Sequence, residues 1–252
     1  VSLRPVLPVG ADGLPTAGGS IDLDAETASG RLEELYAPPG PDWVRLNLIG
    51  SVNGSAAGSD GTSETLTNPT DRAILRTIRD LSDVVVIGAA SVRAEGYYIP
   101  QHSTLAVVTG TGDFSGHRVR SAEGRAPLLV LCPASASVRA AATLGATPHV
   151  IAEVPDTNGR LTPGDIHQTL RAAGYRSVVC EGGPSLAAQF VDAGVLDELC
   201  LTTAPILTGA ALPLFAGHPF AERALRLTQL LVDDAGFQYS RWSLRELATT
   251  GR

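Results

Sequence analysis

Short continuous runs of Val, Ile and Leu, each followed by a polar or glycine-rich turn and then by a stretch with helical spacing, constrain this chain more than any other feature. Continuous apolar runs predict strands covered on both faces, as in a parallel sheet. The candidates are residues 44–49, 84–87, 104–108, 128–132, 149–152, 177–180 and 199–207. Helices are expected between them. Thr67 or Asn68 caps one, with Pro69 and Asp71 in its first turn and Ala73, Ile74, Ile78 and Leu81 on its apolar face. Arg72, Arg76 and Arg79 point elsewhere. A second helix begins near 163–165 and ends at Gly174, and a third runs from Pro184 to Gly194. Residues 225–244 read as a β-hairpin turning at Asp234, Ala235 and Gly236. The expected fold is therefore α/β, with a mostly parallel sheet between two helical layers. Ligands in such a sheet bind at the carboxyl ends of the strands.

Residues 1–40 read as an N-terminal arm, with one helix over 22–36 capped by Asp24, and 41–252 as a single domain. Composition narrows the chemistry. All nineteen Lys and Arg positions are Arg, which excludes a pyridoxal Schiff base, a Walker A lysine or a kinase lysine. The net charge of −7, with arginines scattered, argues against a nucleic-acid surface or an anionic membrane and for a small-molecule partner. Cys132, Cys180 and Cys200 have no CxxC spacing and read as small buried strand residues. The five histidines form no HExxH or HxH pair, so no metal is expected. No apolar run is long enough to span a bilayer, and a cytoplasmic protein is expected.

Two strand ends carry the strongest site signal. In SVVCEGGPSLAAQF (177–190) a buried strand ends in Glu181, followed by Gly182, Gly183 and a helix opening at Pro184. Glycines allow close approach of a phosphate, and the first helical turn offers free N–H groups. The alternative is a simple tight turn with Glu181 as a helix-start charge. VVVIGAASVRAEGY (84–97) repeats the pattern around Gly88, with Arg93 either a partner for an extra phosphate or solvated. GTGDFSG (110–116) is a weak dinucleotide fingerprint, because Ser115 stands at the third glycine and no apolar helix follows. Ser185, Asp197 and His218 follow the chain order of a hydrolase triad, but the second glycine of GxSxG is missing.

Taken together, VRLNLIGSVNG (44–54), residues 61–97, EGGPSLAAQF (181–190) and LDELCLTTAPILTG (196–209) resemble the reductase domain of the bifunctional riboflavin-biosynthesis protein, over about residues 41–245. That resemblance implies a dihydrofolate-reductase-like three-layer α/β/α fold with a mixed, mostly parallel central sheet. It implies NADPH as hydride donor, a ribosylaminopyrimidine phosphate as substrate, and a homodimer. Carried over residue by residue, cofactor contacts fall on Gly50, Gly88, Ala89, Ser91, Glu95, Gly182, Gly183, Pro184, Ser185 and Leu186. Thr109 and Thr111 lie where such folds receive the adenosine 2′-phosphate. Substrate contacts fall on Asn53, Ser63, Arg79 and Glu181. Arg79 is expected to anchor the phosphate, and Glu181, as the catalytic residue, to orient substrate hydroxyls or the pyrimidine amine.

The chain departs from the family pattern in three places. Its Ser-x-Asp-Gly turn reads Ser51, Val52, Asn53, Gly54 here, and an amide cannot donate as an acid. Thr65 stands where the family has Trp, and the further basic residue after the GAAS turn falls near His102. The HxE and PCxxC signature of the deaminase partner does not occur in this sequence. The expected reaction reduces the ribose of the pyrimidine substrate to the ribityl form, by hydride transfer to C1′. A folate or pterin reductase of the same fold, and a nucleotide-binding protein without catalysis, remain the alternatives.

Overall fold

The structure is a computed structural model and describes residues 1–7, 20–209 and 212–245. Its centre is an eleven-stranded sheet. In chain order the strands are β1 (Ser2–Leu7), β2 (Ile21–Asp22), β3 (Trp43–Ser51), β4 (Val84–Gly88), β5 (Thr104–Val108) and β6 (Leu128–Cys132). They continue as β7 (His149–Glu153), β8 (Ser177–Cys180), β9 (Glu198–Ala204), β10 (Arg226–Asp233) and β11 (Gln238–Ser243). Across the sheet the order is β2-β1-β10-β11-β9-β3-β8-β4-β5-β6-β7. All neighbours from β9 to β7 are parallel, and the remaining pairs are antiparallel. The architecture is the mixed, mostly parallel α/β fold that the apolar runs predict.

Alternation along the strands builds two cores. From β4, Val85 and Ile87 join the cluster under α1 (Ala28–Tyr36), α2 (Pro69–Asp80), α3 (Ala89–Ala94) and α4 (Ser137–Leu144). Val84 and Val86 face the opposite cluster under α5 (Pro163–Ala172) and α6 (Pro184–Asp192). Both sides of these strands are dry, so they lack the polar alternation of a half-exposed sheet. Helix α2 is seated by Ile74 and Ile78, both buried, and each side chain contributes about 1.5–3 kcal/mol by leaving water. Asn68 is its cap: the side-chain oxygen accepts from Asp71 N at 2.7 Å, with Pro69 at the first helical position.

Some sequence expectations need correction. The helix expected over 22–36 starts only at Ala28, and Thr27 precedes it without a side-chain cap. Ile21–Asp22 is instead a strand paired with β1, and Asp24 accepts from the Val1 amine at 2.9 Å rather than capping a helix. β9 stops at Ala204, not at 207, because Pro205 has no N–H to continue a ladder. β1 pairs antiparallel with β10, so the first residues of the chain extend the sheet. Cys132, Cys180 and Cys200 are free and buried in β6, β8 and β9, as expected, and burial pushes the Cys180 thiol up to about 12.

No helix among the described residues is long and apolar enough to cross a membrane.

Candidate active site

The carboxyl ends of β4 and β8 approach each other so closely that backbone alone fills the contact. Glu181 N donates to Val86 O at 2.9 Å, and Gly88 N donates to Gly182 O at 2.8 Å. Gly182 has φ +79°, a left-handed conformation that favours glycine, and the Gly182–Gly183 peptide is cis. A Cβ at Gly183 would stand 3.3 Å from Ser91 Oγ, which also accepts the Gly183 N–H at 3.1 Å. Helices α3 and α6 both start at this junction. In α6 the first intrahelical bond is Ala187 N to Gly183 O, so the amides of Ser185 and Leu186 precede it at the helix's positive end.

The junction borders a cleft of about 1330 Å³. Among the residues singled out by sequence, Ser63, Arg79, Gly88, Ala89, Ser91, Glu95, Thr109, Thr111, Glu181, Gly183, Pro184, Ser185 and Leu186 line it together. Three others do not. Gly182 lies within the strand junction, its carbonyl taken by Gly88. Gly50 is covered by Leu214, whose Cδ1 would be 2.9 Å from an added Cβ. Asn53 belongs to a loop contact: its Nδ2 donates to Thr208 O at 2.8 Å and its Oδ1 accepts from Ser51 Oγ at 2.8 Å.

Within the cleft, Glu181 and Arg79 form a two-pronged pair, Nε to Oε1 at 2.6 Å and Nη2 to Oε2 at 2.7 Å. The glutamate side chain is 6% exposed and the arginine 23%, so the pair sits at the cleft floor with one guanidinium nitrogen, Nη1, outside the fork. Tyr97 lies against the guanidinium, 5.9 Å from carbon to ring centre, and burial pushes its phenol upward. Ser63 donates to Glu95 from both its backbone N, at 3.0 Å, and its hydroxyl, at 3.2 Å, so the expected substrate and cofactor residues touch. Asp71 lines the same wall; burial raises its carboxyl pKa, against hydrogen bonds from Thr67 and Thr202.

The turn after β5 also borders the cleft. Thr109 Oγ1 accepts from Gly112 N at 3.0 Å and Thr111 N at 3.3 Å. Gly112 has φ +68°, and a Cβ there would meet Ala136 O at 2.3 Å and Ala140 N at 2.9 Å, so this glycine is required by the close approach of the turn to the start of α4. Arg93 reaches across to donate to Asp113 O at 2.6 Å. Asn47, Arg160 and Gln189 also line the cleft, and sequence reading missed them. Asn47 lies inside an apolar run, Arg160 comes from the Asp156–Leu161 hairpin, and Gln189 from the second turn of α6; their local sequences carry no site signal.

The hydrolase triad is not assembled. His218 Nε2 pairs with Asp192 Oδ2 at 2.8 Å, while Asp197 accepts from Val44 N and Arg245. Ser185 Oγ has Gln189 as its hydrogen-bond partner.

The family model described as the RibD C-terminal domain matches residues 42–239. Among curated relatives, the riboflavin biosynthesis protein RibD of Mycobacterium tuberculosis is 28% identical over 218 residues, covering 76% of this chain and 55% of that protein. RibD of Corynebacterium ammoniagenes is 25% identical over 233 residues, covering 86% and 63%. The chain thus spans little more than half the length of the curated relatives it matches. A pyrimidine reductase-like protein from Corynebacterium diphtheriae shares the fold, with a TM-score of 0.65 at 22% identity, covering 86% of this chain and 99% of that one. A deaminase/5-amino-6-(5-phosphoribosylamino)uracil reductase from Thermotoga maritima does so at 0.60 and 14%, covering 81% and 57%.

Proposed function

Because the chain belongs to the RibD C-terminal domain family, we propose that it is an NADPH-dependent reductase of a ribosylaminopyrimidine phosphate. The observation that carries this reading is the adjacency of two different seats: the Glu181–Arg79 pair and the glycine junction of β4 and β8 share one cleft. When bound, NADPH supplies the hydride that converts C1′ of the opened ribose to the ribityl carbon.

The residues present fit the cofactor. Gly183 leaves a surface with no side chain, and the amides of Ser185 and Leu186, ahead of the first intrahelical bond of α6, lie beside it as donors for a diphosphate. Ser91 holds the Gly183 amide, so it shapes the seat as well as lining it. Thr109 and Thr111 lie along the same cleft where the adenosine phosphate would end. Glu181, the last residue before the seat, accepts hydrogen bonds from substrate hydroxyls or the amine, and Arg79 fixes the orientation of its carboxylate. Ser63, held by Glu95, is placed to contact the ribosyl chain. The protein's contribution is to bring the reacting carbons to within about 3–3.5 Å and to stabilise the charge that develops. The proton that completes the reduction comes from water, since Asn53 carries no acidic proton and its amide is committed to Thr208.

The test is direct. Purified protein mixed with NADPH and 5-amino-6-(5-phosphoribosylamino)uracil is expected to lose absorbance at the reduced-nicotinamide band. Turnover of dihydrofolate instead, or tight NADPH binding with no turnover of either compound, overturns the assignment.

A further inference from the structure

Beside the turn after β5, the cleft is lined by a cation that the fold does not use. Residues 156–161 form a two-stranded hairpin, with Asp156 opposite Leu161 and Thr157 opposite Arg160. Its two turn residues, Asn158 at φ +54° and Gly159 at φ +76°, are both left-handed, as a tight two-residue connection between strands requires. The Asp156 carboxylate closes the turn by accepting from Gly159 N at 2.5 Å. Gly159 O would stand 3.4 Å from a Cβ on Gly110, so the hairpin tip rests on the turn after β5. Arg160 is exposed and lines the cleft together with Thr109, Gly110 and Thr111. It makes no ion pair or side-chain hydrogen bond among the described residues. The other cations at this turn are engaged: Arg139 Nη2 pairs with Asp113 Oδ2 at 2.8 Å, and Arg93 Nη1 donates to Asp113 O at 2.6 Å. Thr109, 5% exposed, has its hydroxyl oxygen turned to two amides of its own turn.

We propose that Arg160 binds the 2′-phosphate of the dinucleotide and thereby selects NADPH over NADH. This rests on the reductase reading above. The seat at Gly183 meets the diphosphate, which the two cofactors share, so nothing there tells them apart. Discrimination needs a group that meets the additional monoester, which carries about −1.5 to −2 charges at neutral pH. Arg160 can present two parallel N–H donors to its oxygens, and Thr111, exposed on the adjoining turn, adds a hydroxyl. Because Arg160 has no partner to give up, binding there breaks no existing pair. With NADH the same guanidinium simply stays in water, so the selectivity is a gain with one cofactor and not a penalty on the other.

The experiment is calorimetry with adenosine 2′,5′-bisphosphate and adenosine 5′-monophosphate, which differ by the 2′-phosphate alone, alongside steady-state turnover with NADPH and with NADH. The native protein is expected to bind the bisphosphate more tightly. In Arg160→Ala the Kd of the bisphosphate should rise about tenfold or more, as for lost hydrogen bonds to a charged group, while that of the monophosphate stays near the native value. The ratio of kcat/KM for NADPH over NADH should fall by a similar factor. Arg160→Glu should lower it further, and Arg160→Lys should recover part of the loss. Four results overturn the proposal: a native protein with no preference for the bisphosphate, unaltered binding in both Arg160→Ala and Arg160→Glu, equal losses for the two nucleotides, or a loss confined to Arg93→Ala. The two readings fail separately. An inactive native protein that holds the bisphosphate through Arg160 removes the reductase assignment alone, and an active one whose cofactor preference ignores residue 160 removes only this inference.

Discussion

Two arginine–carboxylate clusters in this molecule are built from the same side chains and do different work. In one, Glu198 on β9 is held by Arg45 of β3 and Arg241 of β11, at 2.7 Å from Arg241 Nε. Arg45 also donates to Tyr36 O at 2.8 Å, and the side chains of Arg45 and Glu198 are 3% and 4% exposed. Arg45 Nε and Nη2 and all three nitrogens of the Arg241 guanidinium have partners in the fold, and none of these residues lines the cleft. In the other, Glu181 and Arg79 pair at the floor of the cleft with one guanidinium nitrogen to spare. Sealed on all sides, such a cluster joins strands to the helix above them. Opened on one side, it becomes a surface that can meet a ligand.

The sharpest way to break the comparison is to cut each cluster once. Arg45→Ala leaves Glu198 buried with one cation fewer and should cost about 3–5 kcal/mol in a denaturant titration. NADPH affinity measured well below the unfolding midpoint should stay near that of the native protein. Glu181→Gln should do the reverse: turnover falls about a hundredfold, as when a preorganised polar group is lost from a reacting centre, with a smaller loss of stability than Arg45→Ala. If both substitutions act mainly on stability, the cleft pair is only structural. Gly183→Val probes the cofactor side of the same floor. Its Cβ would press on Ser91 Oγ at 3.3 Å, and NADPH binding should weaken by about 1–3 kcal/mol, more than ribose 5-phosphate binding does.

The smallest expected effect is on pH. Burial pushes the Glu198 carboxyl upward, but Arg45 and Arg241 together hold it below its ordinary range. A depressed carboxylate contributes stability that is present above its unfolded pKa and disappears as pH falls through the folded value. Unfolding titrations between neutral and strongly acid pH should therefore steepen on the acid side, and Glu198→Gln should flatten that limb. An unchanged acid limb would show that the two arginines do not set the ionisation of Glu198.

The parts of the fold that could be read from sequence are those whose environment is uniform. Strands such as β4 and β6 have protein on both faces, so their burial is written as an unbroken apolar run. β1 was missed because Arg4 and Pro5 interrupt the pattern, and its place depends on pairing with β10, more than two hundred residues away. α4, an Ala-rich helix with few large apolar residues, carried too weak a periodicity to notice. The same logic divides the site. Glu181, Gly183 and Gly88 stand at strand ends, where local sequence specifies the junction. Gly50 lies near the end of a strand and Asn53 just after it, but Leu214 covers the first and Thr208 holds the second, and no local pattern reports contacts made by so distant a loop. The engagement of Arg79 was equally invisible, since its partner is 102 positions further along the chain.

Helix α2 has one further consequence. Its rotation about its own axis is set by Ile74 and Ile78 in the core, and that single angle also decides where Arg72, Arg76 and Arg79 point. A slip of one residue would turn the helix by about 100° and bring guanidinium groups round toward the isoleucines' place. Natural variation in what this wall admits must therefore proceed by exchanging side chains at fixed addresses, because the scaffold cannot be re-indexed to suit a new guest.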